Sequence, residues 1–496
     1  METDARCNLC APTVNAPVEV VEGVGGVDDP GEPGFFGRTF RSFGIRNFRL
    51  FFVGQLVSNT GNWLTIVALT LLVLHATHSG FYVGLLTACQ FGPILVLSAW
   101  AGSIADRADK HKLLFITQGG EMAQSAALAV LAFIPGTPVW AFFVLAVVGG
   151  VLLAFDNPIR RSFVPEMVPR ELIPNAVMLY STLVNASRIF GPALAGVLVV
   201  TLGYGWAFTF DSVSYVAVIT ALAMMRRTEL RRRPPAPRVK GAVREGVRYV
   251  RSMPALWISF VMLAAVGTFS YEFNVVVPLF VEQGLGGSDT AYTVAYALFS
   301  VGALIGALAA AHRSDVDLRL IVAGCAALGV TMVGLAAVPG LTWVYPVIVV
   351  VGVASIIYMT TTTAIVQVRA RPSMHGRVLA LQSVLLIGTN PIGGPILGAV
   401  SDRFGARAPV ALGAAVALAT AGWGGWIMQR HREALARPPD TDQLPSVAAG
   451  FDGNGESTGP GRRRPVPGAN AAPGADDAAA AGMWPRNPQP GDPMPS

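Results

Sequence analysis

The chain has 496 residues, 52% of them hydrophobic and 13% charged, with a mean hydropathy of +0.52 and a net charge of +6. Soluble domains carry roughly a quarter charged residues, so this composition excludes an ordinary soluble enzyme and points to an all-α, polytopic membrane protein. Apolar runs of membrane-crossing length recur along the chain, whereas a β-barrel would show short alternating segments. The excess positive charge sits in short loops beside those runs, as topology signals do, and no nucleic-acid partner is expected.

Residues 1–40 are rich in Gly, Pro, Val and acidic side chains and lack the basic start and apolar core of a signal peptide. They read as a disordered cytoplasmic tail. Its Cys7 and Cys10 form a Cys-x-x-Cys with no second pair anywhere, so neither a metal nor a cofactor is expected. Twelve apolar spans follow. The first six lie near 48–74, 80–105, 112–134, 138–156, 175–201 and 206–225. The second six lie near 254–281, 290–311, 318–337, 342–367, 377–401 and 408–428. They divide the membrane region into halves, 41–225 and 254–432, joined by a basic cytoplasmic linker at 226–253 whose Arg233-Pro-Pro-Ala-Pro237 cannot continue a helix. Residues 433–496, with the basic knot Arg462 to Arg464, read as a disordered cytoplasmic tail.

Loop charges fix the expected orientation. Lys and Arg cluster after even-numbered spans, at Arg107, Lys110 and Lys112, at Arg160, Arg161 and Arg170, and throughout the central linker. Loops after spans one, three, five, seven and nine carry none. Both termini are therefore expected in the cytoplasm. One loop dissents: Asp402-Arg403-Phe404-Gly405-Ala406-Arg407 follows span eleven and falls on the external side.

The halves also repeat one another. At an offset of 203, Gly-Pro-Ala-Leu at 191–194 meets Gly-Pro-Ile-Leu at 394–397, and Gly92-Pro93-Ile94-Leu95 supplies the element again. Internal repeats of this kind mark secondary transporters, with the substrate site near the midplane between halves. The hairpin Gly102-x-x-x-Asp106-Arg107-x-Asp109-Lys110-x-Lys112 resembles the loop 2–3 motif of the major facilitator superfamily, with Asp109 where Gly is usual. Gln55 to Asn59, Phe155 to Arg160, Phe163 to Glu166, Asn185 to Pro192 and Gly376 to Val378 resemble its branch of enterobactin-exporter-like and macrolide-efflux-like proteins. The resemblance covers about residues 41–430. It implies the major facilitator fold, twelve transmembrane helices in two pseudo-symmetric six-helix halves. Gly191, Pro192 and Gly196 partly resemble the helix-five motif of antiporters, with Ser187 replacing an expected glycine.

Candidate functional residues follow. Asp106 ends span two opposite the start of span eleven near Gly376, where a carboxylate favours a helix N-terminus. With Gly102, Arg107, Lys110, Asp156 and Arg160 it forms a candidate cytoplasmic gate, in which the resemblance implies that Arg107 or Lys110 pairs with Asp156. The bland alternative is a solvated loop that only sets topology. Charges inside spans are few and each is a functional candidate: Glu121, Asp156, Arg160, Arg188, Asp211 and Glu272. Arg188 and Glu272 are expected to face the cavity or each other, and Glu272 is the candidate for proton coupling, with helix packing or an outer gate as the alternative. Gln55, Asn59 and Asn62 recur at i, i+4 and i+7 on one helical face, a candidate cavity wall shared with Arg188 and Tyr358, or an interhelical hydrogen-bonding stripe.

No Gly-x-x-x-x-Gly-Lys-Ser/Thr phosphate loop is present. The expected protein is thus not an enzyme but a monomeric secondary transporter in the bacterial inner membrane. It would export amphipathic drug or siderophore-type molecules by alternating access in exchange for protons. A nutrient importer or lipid transporter of the same fold, or a sensor that has lost transport, remain open.

Overall fold

The computed structural model describes residues 40–105, 107–231, 242–311, 317–371 and 374–430. Both tails, Cys7, Cys10, Asp106, Pro372 and the Pro-rich part of the linker lie outside them.

The described residues are helical, with no strand among them. The first half contains α1 (Arg46–Thr77), α2 (Gly80–Ala105), α3 (Lys110–Phe133), α4 (Val139–Phe163), α5 (Ile173–Leu202) and α6 (Tyr204–Ala223). A linker helix, α7 (Ala242–Ser252), leads into the second half. There α8 (Pro254–Phe269) and α9 (Phe273–Pro278) form one interrupted span, ending in a π-helical turn at Leu279–Gly284. Then come α10 (Asp289–Ala311), α11 (Leu318–Ala337) and α12 (Leu341–Arg369), a second interrupted span made of α13 (His375–Gly388) and α14 (Asn390–Phe404), and α15 (Ala408–Arg430).

Eleven of these segments are long and apolar enough to cross a membrane. The exception is α3, which has the length but places Thr117, Gln118, Glu121, Gln124 and Ser125 along one face, the spacing that stacks side chains on a helix. That face turns inward onto α4 and α6, and Gln118, Glu121 and Ser125 are buried. The low hydropathy of α3 thus reflects a polar interior.

Within each half, α1 packs on α6, α2 on α4, α10 on α12 and α11 on α15. The halves meet chiefly along two seams, α2 against α14 and α5 against α10. Small residues make both possible, because in an apolar solvent helix association rests on close backbone approach. Gly80 and Gly84 face Gly394 and Gly398; a Cβ added at Gly80 would lie 2.8 Å from the Gly398 carbonyl oxygen. On the other seam, a Cβ at Gly196 would lie 2.8 Å from Cβ of Thr293. These contacts gather toward the end away from the basic loops. Toward the basic end, a Cβ at Gly92, Gly102 or Gly376 would meet nothing within 4 Å among the described residues.

Candidate functional site

The site is built from four clusters along and beside these seams. In the first half, Asp156 on α4 is fully buried and ion-paired with Arg160 one turn on. Asp156 Oδ1 accepts from Thr117 Oγ1 (2.7 Å) and Gln118 Nε2 (2.9 Å). Gln118 also donates to Glu121 Oε2 (3.0 Å), and Arg160 Nη1 donates to Gln55 Oε1 (2.8 Å). The expected bridge from Arg107 or Lys110 to Asp156 is therefore replaced. Lys110 pairs with Glu166 and Arg107 is exposed, because Arg160 reaches Asp156 within its own helix and no long loop side chain has to be buried. Asp109, at the position where the motif usually has Gly, caps α3 by accepting from the backbone N–H groups of His111 and Lys112. Asp106 lies outside the described residues, and its expected contact with the start of span eleven with it.

Deeper in the same half, Asp211 on α6 accepts from Thr65 Oγ1 (2.7 Å) and Ser125 Oγ (2.5 Å). Asn62 donates weakly to the Tyr215 hydroxyl (3.4 Å). Asn62, Gln90, Glu121, Gln124, Asp211 and Tyr215 help to line a cavity of about 50 Å³. That volume takes a few waters and is far below the roughly 300 Å³ of a drug-sized pocket. The span-one stripe therefore divides: Gln55 is consumed by Arg160, Asn62 faces the small cavity, and Asn59 is half-buried.

The second cluster lies on the seam of α5 and α10. Ser181, Asn185 and Arg188 form an exposed polar stripe on α5. The Arg188 guanidinium sits over the ring of Trp63, 4.8 Å from its centroid, a cation–π arrangement. Ser300 of α10 donates to the Arg188 carbonyl (3.2 Å). Gly191 lets α5 approach α1, where its Cβ would meet the Thr60 carbonyl at 2.9 Å, and Pro192 is buried nearby. Gly196 accommodates Thr293. Gly191, Pro192 and Gly196 thus pack at the meeting of α1, α5 and α10.

The third cluster is the double interruption in the second half. Glu272 sits between α8 and α9 and is 2% exposed. It abuts the second break: with its amide oriented for the acceptors around it, Asn390 donates to Glu272 Oε1 (3.0 Å) and to the Leu386 carbonyl (3.2 Å). Among the described residues, Glu272 Oε2 has no hydrogen-bond partner. Ser270 at the same break donates to the Gly413 carbonyl (2.7 Å), and Asn274 accepts from the Tyr296 hydroxyl (2.5 Å). No ion pair joins Glu272 to Arg188 among the described residues. Tyr358 is fully buried against Gly324 of α11, away from any open surface. Thr361, Thr362 and Thr363 bond back to carbonyls of their own helix.

The fourth cluster closes the end away from the basic loops. Asp402, at the end of α14, accepts from Ser79 Oγ (2.6 Å) and from the backbone N–H groups of Gly80 (2.6 Å) and Phe81 (3.0 Å). It caps α2 from the other half. In the sequence, Asp402 stands out only through the loop that departs from the charge pattern. The signal was present: Gly398-x-x-x-Asp402-Arg403 repeats the spacing of Gly102-x-x-x-Asp106-Arg107.

A helical membrane protein with two interrupted spans and two small-residue seams has the layout of a transporter. The family model described as transmembrane secretion effector matches residues 38–449. The chain belongs to that family of the major facilitator superfamily. Its relatives in the superfamily include the staphyloferrin A transporter of Staphylococcus aureus, 26% identical over 52% of this chain and 66% of the relative. The multidrug efflux pump Tap of Mycolicibacterium fortuitum is 26% identical over 72% of this chain and 90% of its own. The enterobactin exporter EntS of Salmonella typhi is 24% identical over 71% and 84%. Coverage of the first of these stops just short of two thirds of its length. Among solved structures, a bacterial homologue of the lysosomal transporter Spinster, inward-facing and occupied, superposes with a TM-score of 0.61. It is 14% identical and covers 80% of this chain and 99% of that one. The fold is that of the superfamily, and its members here are transporters rather than enzymes.

Proposed function

We propose that this protein is a secondary exporter of amphipathic small molecules, of drug or siderophore type, working by alternating access with proton exchange. The observation that carries the reading is the position of Glu272, a buried carboxylate with one unpartnered oxygen where two interrupted spans meet. A carboxyl in such a place is stable only if it binds a proton or a partner, and breaks in paired spans are where transporters of this architecture handle their ions. Efflux and siderophore transport in the relatives support the substrate class. The reading counts α3 as a twelfth span and places both termini in the cytoplasm, which turns the basic loops inward and the α2–α14 seam outward. The small-residue closure at that end supports an inward-open state, with Arg188 and Trp63 beside the substrate path.

The test is transport in proteoliposomes with an imposed proton gradient, using a macrolide, ethidium and a catecholate siderophore as probes. The wild type exports at least one probe against its gradient, and Glu272→Gln, which preserves shape, abolishes the dependence on the proton gradient without loss of folded protein. Gradient-driven export that survives in Glu272→Gln refutes the coupling assignment. Uptake in place of export refutes the direction.

A further inference from the structure

We propose that His75, Glu282 and Asp289 form a binding site for a divalent transition-metal ion that staples the two halves together at the end away from the basic loops. His75 lies in the last turn of α1, Glu282 in the π-helical turn after α9, and Asp289 at the first position of α10. His75 Nε2 lies 3.2 Å from Glu282 Oε2 and 3.3 Å from Asp289 Oδ1, and the three ligand atoms all fall within 4.8 Å of one another. A tetrahedral ion with bonds of about 2.0–2.2 Å holds its ligands roughly 3.3–3.6 Å apart. Two edges of the site already have nearly that length.

Two further observations point to an ion. The Glu282 side chain is only 8% exposed, yet its Oε1 has no hydrogen-bond partner among the described residues. A buried carboxylate oxygen left in that state is unfavourable, and an ion held by both oxygens of Glu282, through the Oε2 that faces His75 and through Oε1, would satisfy it. Behind the imidazole, Nδ1 of His75 lies 2.6 Å from the Tyr204 hydroxyl, which in turn lies 3.4 Å from Asp289 Oδ2. Metal-ligating histidines are oriented in this way by a partner on the second ring nitrogen. One imidazole and two carboxylates leave a fourth position for water and suit Zn²⁺, Ni²⁺ or Co²⁺ better than a thiophilic ion such as Cu(I). With His75 43% exposed, an ion reaches the site directly from water.

His75 and Tyr204 belong to the first half, Glu282 and Asp289 to the second. A bound ion therefore opposes separation of the halves at this end. That locking effect rests on the alternating-access reading above; ion binding itself does not.

The test uses the full-length chain in nanodiscs, with Cys7 and Cys10 replaced by serine to remove the Cys-x-x-Cys pair as a competing ligand set, titrated with ZnCl₂ by calorimetry. One Zn²⁺ per chain is expected. His75→Ala and Glu282→Gln each weaken it by about 100-fold and Tyr204→Phe by about tenfold, while each variant keeps its monodisperse elution. Absence of binding, or binding undiminished in both His75→Ala and Glu282→Gln, overturns the site and leaves a simple histidine–carboxylate hydrogen bond. In proteoliposomes, Zn²⁺ on the side of the α2–α14 seam halts export by the wild type and spares His75→Ala. Unaltered export with Zn²⁺ bound overturns the lock. Failure of the metal-free protein to export counts against the transport reading and leaves the metal site standing.

Discussion

At the scale of single residues, the first half is held by a buried ion pair, Asp156 with Arg160. Removing one partner of a buried ion pair costs about 3–5 kcal/mol, whereas replacing both by apolar groups is often neutral. Asp156→Leu alone should leave Arg160 stranded beside Gln55 and lower the thermal midpoint of the solubilised protein by many degrees. The double variant Asp156→Leu/Arg160→Met should recover most of the loss, as read by thermal melting of the detergent-solubilised protein. A double variant as unstable as the single one would mean that Thr117 and Gln118, rather than the pair, carry the stability. Asp156 and Arg160 are both visible in the sequence as intramembrane charges, but the resemblance implies Arg107 or Lys110 as the partner of Asp156 and names none for Arg160. The i, i+4 spacing was the better guide, because it needs no chain rearrangement. The partner of Glu272 was not legible at all: Asn390 comes from a distant helix, and only the fold brings the two breaks together.

At the scale of elements, glycine does what an apolar solvent cannot. Gly80-x-x-x-Gly84 faces Gly394-x-x-x-Gly398, and both pairs could be read from the chain, but which helix met which could not. Gly84→Leu should wedge α2 from α14. Alkylation of a cysteine placed at Ser79 should then rise severalfold relative to the same cysteine in the otherwise unaltered protein. Equal labelling would remove that seam from the account. Asp402→Ala removes a carboxylate from the start of α2, a contact worth about 0.5–2 kcal/mol, and should shift the same labelling in the same direction by less. Two elements escaped the sequence. The interruption of span seven falls at Ser270 to Glu272, where no proline or glycine announces it. The linker helix α7 was hidden by the Pro-rich stretch before it; Gly246 packs on Leu381, Val250 is buried, and Glu245 pairs with Arg377 at 2.7 Å. That contact ties the linker to the first turn of α13.

At the scale of the whole molecule, the halves, their repeat and the class of protein were legible because membrane length, loop charge and Gly-Pro elements are local signals. The state of the molecule was not, since closure at one end depends on contacts between residues hundreds apart. Alternating access requires that the closed seam open during every cycle. Its most direct test is a reversible lock across α2 and α14 in a background lacking the native cysteines. Cβ of Thr87 lies 3.3 Å from the position a Cβ would take at Gly394, close to the roughly 3.5–4.5 Å of a disulfide. In proteoliposomes, oxidation of Thr87→Cys/Gly394→Cys should stop export of the probe and reduction should restore it, with the export of each single variant insensitive to oxidation. Export that continues with the disulfide formed would contradict alternating access through this seam.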